Sequence, residues 1–335
     1  MNLLVIGNGF DLAHGLKTTY DDFLGWAYEN GEMGKYWGFD LNAYWKRYHT
    51  LKKERTVEIE DGVLVNHSPT SVGQEYHLPD YVETLFKKQN DTWIDLENNL
   101  ASVINKCSAK WFKRSSGFAY EEFKSLFDDF IVAMFEKYIA SVVNVVELQQ
   151  ILSVGNADLV LSFNYSNTYE RLYKTKRNTP ICYINGQASD DKYSSNIVFG
   201  CDCYSAEYRE LSWYDKTSQR HEKNSDCRYK DWLKWNEKNP LSIFIVGHSL
   251  GRTDYDILRH FVMNRINRTY VYYHCPNAKT DLIYNMIGMV GREHINVNHI
   301  DFLPIAELNI PKSNYAKTRE QQRKKRGVIS SGVTV

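Results

Sequence analysis

The sequence has no apolar stretch long enough to cross a lipid bilayer, which takes about 20 residues, and this excludes a transmembrane helix. The short apolar run at residues 3–6 has no basic residue before it and ends at a glycine turn. It therefore lacks the form of a secretory signal peptide. Together these absences predict a cytoplasmic protein without membrane contact.

The chain also lacks an excess of charge of either sign, because 41 lysines and arginines balance 41 aspartates and glutamates. This balance argues against a uniformly basic nucleic-acid-binding protein, although a local basic patch is compatible with it. The clearest basic segment is the tail from residue 312, which includes Lys317, Arg319 and the run at 323–326. We predict that residues 312–335 form a disordered tail through which nucleic acid could bind.

Cysteine is sparse, with six residues dispersed along 335, so a disulfide framework is not predicted. Cys201, Cys203, His221 and Cys227 have side chains of the type that binds zinc, but their spacing matches no common zinc module. No metal site is predicted. Aromatic residues are plentiful by contrast, with 24 Tyr, 15 Phe and 8 Trp, and they supply material for a sizeable core.

The chain is organised around its first sixteen residues, MNLLVIGNGFDLAHGL. Residues 3–6 form a continuous apolar run, which is typical of a buried parallel strand. Gly7 and Gly9 follow, and the segment after Phe10 has the character of a helix start, with Asp11 near its positive end. This order of strand, glycine turn and helix is typical of nucleotide-binding α/β domains, although the glycines do not complete the dinucleotide fingerprint.

Helical periodicity dominates residues 19–155, apart from a β-hairpin predicted at residues 57–65. From residue 158, short apolar strands alternate with helical segments, which is typical of a parallel sheet. The predicted strands cover residues 159–163, 181–184, 197–199, 243–246 and 270–273.

We therefore predict an α/β fold with a Rossmann-like, mostly parallel sheet in a single domain of residues 1–311. A large helical insertion at about residues 20–155 and a smaller polar insertion at about residues 203–240 would interrupt it.

Four predicted turns, each rich in Asn, Ser or Gly, follow predicted strands. They cover residues 7–11, 164–168, 185–187 and 247–250. The carboxyl ends of parallel strands share one edge of a sheet, and ligands bind in the crevice there. We therefore expect the four turns to converge on one binding cleft. The simpler alternative is that they are ordinary caps and turns, which favour the same residues.

The turn Gly247-His248-Ser249-Leu250-Gly251 also fits the nucleophile elbow of α/β-hydrolases, with Ser249 as nucleophile. A hydrolase would need an acid and a histidine downstream. Asp281 or Asp301 could supply the acid, and His294 or His299 the histidine. The bulky Arg252 beside the turn and the small number of preceding strands count against this reading. A serine hydrolase therefore stands as the first alternative function.

Several stretches together resemble the AbiH-like abortive-infection proteins of bacteria. The opening LVIGNGFDLAHGL, with Thr18, Thr19, Tyr20 and Phe23 after it, resembles the start of that family. Residues 93–97 resemble the family's tryptophan–acid helix, and residues 162–168 and 247–251 with Asp254 resemble its later motifs. The resemblance implies defence against bacteriophage, in which an infected cell dies or stops growing before the phage spreads.

The motif order is also similar to that of the sirtuin-like NAD-cleaving domains of other defence systems. That resemblance implies NAD or a related nucleotide as ligand or substrate and leaves its hydrolysis open. Asn164 matches an asparagine that works beside the nicotinamide ribose, and Asn185-Gly186 falls where a catalytic His-Gly pair would be. An amide cannot act as a base near neutral pH, so His14 or His248 would have to replace that histidine, or the site binds a nucleotide without sirtuin-like cleavage.

These resemblances predict an antiphage effector that binds a small-molecule nucleotide at the carboxyl edge of the sheet. The candidate catalytic residues are Asn164, His14 and Asn185. The candidate nucleotide-binding residues are Gly7, Asn8, Gly9, Phe10, Asp11, Tyr165, Gly186, Gly247, His248, Ser249 and Asp254.

Within that set, Gly7 and Gly9 are expected to admit the phosphates, and Asp11 to contact a ribose hydroxyl or to cap the helix. His14 lies three residues after Asp11, so a shared helix face would raise the pKa of the imidazole. A non-catalytic sensor of a phage component is the second alternative function. The sequence names no phage trigger or partner protein, and it leaves self-association open.

Overall fold

The computed structural model describes residues 1–29, 35–36, 39–40, 97, 100–101, 133–145, 150–173, 179–188, 196–202, 213–225, 228–314 and 317–318. The hairpin predicted at residues 57–65 and the tryptophan of the segment at 93–97 lie outside these residues. The chain divides into two compact units, one made of Met1–Thr19 and Ile139–Val335 and the other of Tyr20–Tyr138.

The strands of the described residues, numbered in chain order, have the following bounds. They are β1 Asn2–Ile6, β2 Lys35–Tyr36, β3 Phe39–Asp40, β4 Leu159–Ser162, β5 Ile181–Tyr183, β6 Ser242–Val246, β7 Arg268–Tyr273 and β8 His299–Pro304. The helices are α1 Asn8–Ala13, α2 Tyr20–Glu29, α3 Ala133–Val145, α4 Thr168–Tyr173, α5 Lys216–Glu222, α6 Tyr229–Asn236, α7 Tyr255–Val262, α8 Pro276–Val290 and α9 Arg292–Val297.

A six-stranded sheet in the order β5-β4-β1-β6-β7-β8 forms the centre of the first unit. Every neighbouring pair in it is parallel. Counting the sheet strands alone, this is the order 3-2-1-4-5-6 of the doubly wound dinucleotide-binding fold. The predicted α/β class and Rossmann-like parallel sheet are confirmed. The order reverses between β1 and β6, where such folds bind ligands.

Helices cover both faces of this sheet, which explains why its strands are continuous apolar runs. Leu3 and Val5 of β1 join a core cluster that includes α7 and α8 residues such as Phe261 and Met286. Leu4 and Ile6 point to the opposite face, in a second cluster with Phe10 of α1 and with α4. The alternation of β1 therefore fixes α1 and α4 on one face of the sheet and α7 and α8 on the other.

Three details of the predicted elements are wrong. Helix α1 begins at Asn8, two residues before the predicted start after Phe10. Residues 197–199 are buried but form no strand, because the Val198 N–H donates to the Asn185 carbonyl and the Phe199 N–H donates to Gln219 Oε1. Strand β8 was not expected, because as an edge strand it alternates polar and apolar residues instead of forming an apolar run. The predicted alternation of strands and helical segments from residue 158 is confirmed, since α4, α7 and α8 follow β4, β6 and β7.

The second unit packs aromatic rings around Phe23 of α2. The Phe135 ring meets the Phe23 ring edge-on at a centroid distance of 5.6 Å, and the Tyr138 ring lies 5.6 Å away in a tilted arrangement. Glu97, the last residue of the predicted tryptophan–acid helix, is helical and buried. In neither unit do the described residues include a helix that could cross a membrane.

Candidate functional site

Three strands of the sheet end at the same level on its carboxyl edge. Ile6 pairs with Ser162 of β4 on one side and with Val246 of β6 on the other. The turn after β1 contacts the turn after β6, since the Gly9 N–H donates to the Gly247 carbonyl at 2.8 Å. The turns after β1, β4 and β6 therefore meet at one edge of the sheet, as predicted from their positions after parallel strands.

The glycines at this edge allow two backbone segments to touch. A Cβ atom added to Gly7 would lie 2.7 Å from the Cα atom of His248, and one added to Gly9 would lie 2.8 Å from the Cα atom of Gly247. Gly247 has a φ of 65°, and its Cβ would lie 2.1 Å from the nitrogen of Phe10. Contact between the turns thus explains these glycines without a ligand. The role predicted for Gly7 and Gly9 in admitting phosphates stays a prediction.

Asp11 is the buried carboxylate of the site, with only 2% of its surface exposed. Its Oδ2 atom accepts a hydrogen bond of 2.5 Å from Ser166 Oγ, which in turn lies 3.0 Å from Thr168 Oγ1. Burial raises the pKa of Asp11 to about 6, against the opposing effects of Ser166, Thr168 and Asn164. The carboxylate lies inside α1 and contacts the turn after β4, so the predicted capping role is wrong: Gly7 is the N-cap residue of α1.

Asn164 lies beside this carboxylate in the turn after β4. Its amide is close enough to lower the pKa of Asp11 without completing a hydrogen bond to it. Asp11 Oδ1 and Asn164 Nδ2 are both buried, and neither makes a hydrogen bond to any described residue. One atom is an acceptor and the other a donor. A ligand hydroxyl that entered beside them could accept from the amide and donate to the carboxylate.

A cleft lies along β5 on the side of the sheet that carries α4. Its volume is about 760 Å³ including its mouth, and Glu170, Tyr183, Gln187 and Arg228 are among its lining residues. Burial raises the pKa of Tyr183, and the negative charges of Glu170 and Asp11 raise it further. The cleft is therefore within electrostatic reach of the Asp11 carboxylate. The space inside its walls is about 420 Å³, which falls in the range of roughly 300–1,000 Å³ that is typical of small-molecule sites.

His14 makes structural contacts through both ring nitrogens. Nδ1 lies 2.7 Å from the carbonyl oxygen of Phe10, and because a carbonyl only accepts, Nδ1 carries the proton. Nε2 then accepts a hydrogen bond of 2.7 Å from the Tyr173 hydroxyl. Burial lowers the pKa of His14, against the opposing effect of the Phe10 carbonyl. The predicted rise caused by Asp11 is therefore wrong, because the imidazole is held by Phe10 and Tyr173. Its catalytic role stays a prediction.

The variant His14→Ala removes two buried hydrogen bonds, and we expect it to lower the free energy of unfolding by about 2–3 kcal/mol. The variant His14→Asn can restore the donor to the Phe10 carbonyl, so it should recover part of this loss. Urea unfolding and protection from phage would be measured for both. If protection from phage falls and recovers together with the free energy of unfolding in the two variants, the imidazole ring has a structural role. Recovery of stability without recovery of protection would instead establish the catalytic role.

His248 is also held on both sides of its ring. The Leu250 N–H donates to Nδ1 at 2.9 Å, and Nε2 lies 3.4 Å from Asp254 Oδ2. This contact supports Leu250 in a left-handed conformation with a φ of 57°. The Nδ1 lone pair is therefore not available to accept a proton from a substrate in this arrangement.

Asp254 joins His248 to two buried cations from α5. Asp254 Oδ1 accepts hydrogen bonds from Lys216 Nζ at 3.4 Å and from an Arg220 Nη atom at 3.1 Å. Burial opposes ionisation, but Lys216, His248 and Arg220 together hold the pKa of Asp254 below its ordinary value. The carboxylate is therefore ionised. Asp254 is the N-cap residue of α7, but its side chain makes no capping hydrogen bond.

Asn185 connects this network to the turn after β4. Its Nδ2 atom donates to the Phe163 carbonyl at 3.1 Å, and its Oδ1 atom accepts from Arg220 at 3.2 Å. Gly186 has a φ of 78° and packs against the Asn196 backbone, and Tyr165 donates its hydroxyl proton to the Val198 carbonyl. All three residues hold loops in position. Their roles in catalysis and nucleotide binding stay predictions.

The structure disfavours the serine hydrolase. Ser249 is exposed, but His299 pairs with Arg268, which pairs with Ser242, four residues before the end of β6. At about 3.3 Å per residue, His299 lies roughly 13 Å away along the strands, on the opposite edge of the sheet. His294 lies in α9, which leads into that same edge. Neither histidine is placed to activate Ser249.

We therefore expect Ser249→Ala to keep most of the protection from phage, whereas Asn164→Ala should lose at least tenfold, since it removes the donor beside Asp11. A plaque assay on cells that express each variant at equal levels would measure both. Covalent labelling of Ser249 by a fluorophosphonate probe would reverse this expectation and favour the hydrolase.

Sequence reasoning missed Ser166, Thr168, Lys216 and Arg220. Ser166 and Thr168 lie within the turn already identified at residues 164–168, so the position after a strand was an available signal. Lys216 and Arg220 lie in the polar insertion, where nothing in the sequence marks them as buried.

Among the described residues, no group of three or more His, Cys, Asp or Glu side chains could hold a metal ion.

Comparison with known proteins agrees with the motifs at this edge. The family model for bacteriophage abortive infection AbiH matches residues 3–274. No curated protein and no solved structure gives a significant match to the chain. The match extends from β1 to β7 and includes the turns that meet at the carboxyl edge. The chain therefore belongs to the bacteriophage abortive infection AbiH family.

Proposed function

We propose that this abortive infection protein binds NAD or a related nucleotide at the Asp11–Asn164 pair and hydrolyses it there. The observation that carries the proposal is the unpaired, buried acceptor and donor at the carboxyl edge of the sheet, between the ends of β1 and β4. Buried polar atoms without partners are rare and call for an explanation. A ligand hydroxyl provides one.

A ribose hydroxyl fits the pair chemically. It can donate its proton to Asp11 Oδ1 and accept a hydrogen bond from Asn164 Nδ2. The cleft along β5 offers space for the remainder of a nucleotide near the same carboxylate. Both atoms of the pair are closed to solvent, so the neighbouring side chains must move to admit the ligand.

Asp11 is the group that supports hydrolysis. A general base is most effective when its pKa lies near the working pH, and burial raises the pKa of Asp11 to about 6. His14 and His248, the histidines considered from the sequence, are both committed to hydrogen bonds. NAD would supply a glycosidic bond whose cleavage releases nicotinamide. In that reaction Asp11 would take a proton from the attacking water, and Ser166 would hold the carboxylate in place.

The direct test incubates the purified full-length protein with NAD, ATP, RNA and a generic ester, and follows the loss of each by chromatography. We expect consumption of NAD or a related nucleotide, with release of the free base, and no turnover of the ester. Binding would be measured in parallel by calorimetry, with Asp11→Asn as the matched variant.

The outcomes separate the alternatives. Nucleotide binding without consumption would leave a sensor and remove the hydrolysis step from the proposal. Consumption of the ester alone would favour the serine hydrolase. Nucleotide consumption that is equal in the wild type and in Asp11→Asn would show that the reaction occurs elsewhere in the chain.

A further inference from the structure

The glycine turn after β1 is poorly suited to hold a phosphate group in the observed arrangement. The Gly9 N–H is already bonded to the Gly247 carbonyl, and the Phe10 N–H is bonded to the Gly7 carbonyl. Two N–H groups of the turn are therefore already used, and an anionic group near this edge would draw on donors from other segments as well.

A small cleft on the opposite face of the sheet from α4 offers such donors. It measures about 280 Å³ including its mouth, and Ile184, Arg220 and Asp256 lie in its wall. Lys230 and His221 add basic groups, and Thr217, Ser225 and Tyr229 add hydroxyls. The positive end of helix α6, which begins at Tyr229, faces the same space.

Arg220 is a buried basic residue in the wall of this cleft, with 5% of its surface exposed. Its terminal nitrogens bind Asp254, Asn185 and Asp256, at 3.1, 3.2 and 2.8 Å. Its Nε atom is buried and makes no hydrogen bond within the described part of the chain. A guanidinium with an unused donor favours an oxyanion, since Arg presents its N–H groups in a planar fork.

We infer that the cleft between α5 and α6 binds a phosphate group, through Arg220, Lys230 and the surrounding hydroxyls. Among the described residues of its wall, three have basic side chains and one, Asp256, has a carboxylate. The space inside its walls is only about 20 Å³, far below the roughly 300–1,000 Å³ of sites that enclose a whole ligand, so the cleft can hold no more than one small group of a ligand. That phosphate belongs either to the proposed nucleotide or to a second phosphate-bearing ligand.

Asp256 competes with the anion. Its Oδ2 atom accepts from Arg220 at 2.8 Å and from Thr217 Oγ1 at 3.0 Å, and its side chain is 38% exposed. A phosphate would have to share these two donors with the carboxylate. Neutralising Asp256 should therefore strengthen phosphate binding. Few substitutions increase the affinity for a ligand, so this result would be specific evidence for a site in this cleft.

The test titrates the full-length protein with inorganic phosphate and pyrophosphate and measures binding by calorimetry. We expect Lys230→Ala to weaken binding about tenfold, the effect of losing one charge-assisted hydrogen bond. Asp256→Asn should strengthen it by a similar factor. Lys234→Ala is the matched control, because Lys234 is exposed on the same helix one turn later and is absent from the cleft wall.

Two results would overturn the inference: no measurable binding of phosphate or pyrophosphate by the wild type, or equal weakening by Lys230→Ala and Lys234→Ala.

Two further titrations, with NAD and with a ribonucleoside that carries no phosphate, identify the source of the phosphate group. If Lys230→Ala weakens NAD binding but spares the nucleoside, the phosphate is that of the nucleotide. If it spares both, a separate ligand binds. Asp11→Asn should lose the nucleoside but keep inorganic phosphate, so failure of the proposed function is distinguishable from failure of this site.

Discussion

Replacing Asp11 by asparagine is expected to abolish protection from phage and at the same time to stabilise the protein above pH 6. The substitution keeps the size of the side chain and removes its negative charge. One carboxylate oxygen becomes an NH2 donor, so the side chain can no longer accept from both Ser166 and a ligand hydroxyl, and the base proposed for hydrolysis disappears. We expect at least a hundredfold loss of nucleotide hydrolysis, within the range of about 10²–10⁴ that general acid–base catalysis contributes.

The stability change follows from the direction of the pKa shift. The pKa of Asp11 rises from 3.8 to about 6 on folding, so folding disfavours the ionised carboxylate. The free energy of unfolding therefore falls as the pH rises from about 4 to about 6 and is constant above that. Asp11→Asn removes this pH-dependent loss. Its expected gain is about 1–3 kcal/mol at pH 7–8 and close to zero below pH 4.

Urea unfolding at pH 4, 5, 6 and 7.5 would measure this change for the wild type and the variant. Asp158→Asn is a suitable control, because Asp158 lies before β4, at the opposite edge of the sheet, where it accepts from the Asn2 N–H. We expect that control to keep its antiphage activity. A variant Asp11→Asn that is both active and less stable than the wild type at pH 7.5 would show that the carboxylate serves the fold alone.

Much of the fold could be predicted because buried parallel strands leave a simple pattern. The runs at residues 3–6 and 243–246 are apolar throughout, since both faces of the sheet are covered. The edge strand β8 gave no such signal, and residues 197–199 gave a false one because they are equally buried. Their backbone groups bond to a turn and to the Gln219 side chain, which composition cannot reveal.

The position of the site could also be predicted, but the chemical state of its residues could not. A turn after a parallel strand must lie at the carboxyl edge, so Asn164 and Gly247 were placed by topology alone. The states of Asp11 and His14 depend on contacts with Ser166 and Tyr173, more than 150 residues away in the sequence. Helical spacing suggested that Asp11 and His14 would interact. Instead, Asp11 accepts a hydrogen bond from Ser166 and His14 accepts one from Tyr173, and both partners lie in the segment from β4 to α4.

Replacing Gly247 by alanine is expected to be the most destabilising single change at this edge. The φ of 65° disfavours any residue with a Cβ atom, which costs about 1 kcal/mol. The added Cβ would also lie 2.1 Å from the nitrogen of Phe10 and 2.4 Å from the carbonyl carbon of Gly9, so the two turns would have to separate. We expect a total loss of about 3–5 kcal/mol, at the upper end of single-substitution effects.

Gly15→Ala separates the two causes. Gly15 has a φ of 83°, but an added Cβ atom would meet no other atom within 4 Å, so only the conformational cost of about 1 kcal/mol is expected there. Urea unfolding of both variants gives the contact energy between the turns by difference. If Gly247→Ala is no more destabilising than Gly15→Ala, the turns are not in contact in solution. If the Gly247→Ala protein is normally stable but fails to bind nucleotide, the glycine is required for the ligand. The expected loss of stability shows instead that the glycine is required for the contact between the turns after β1 and β6.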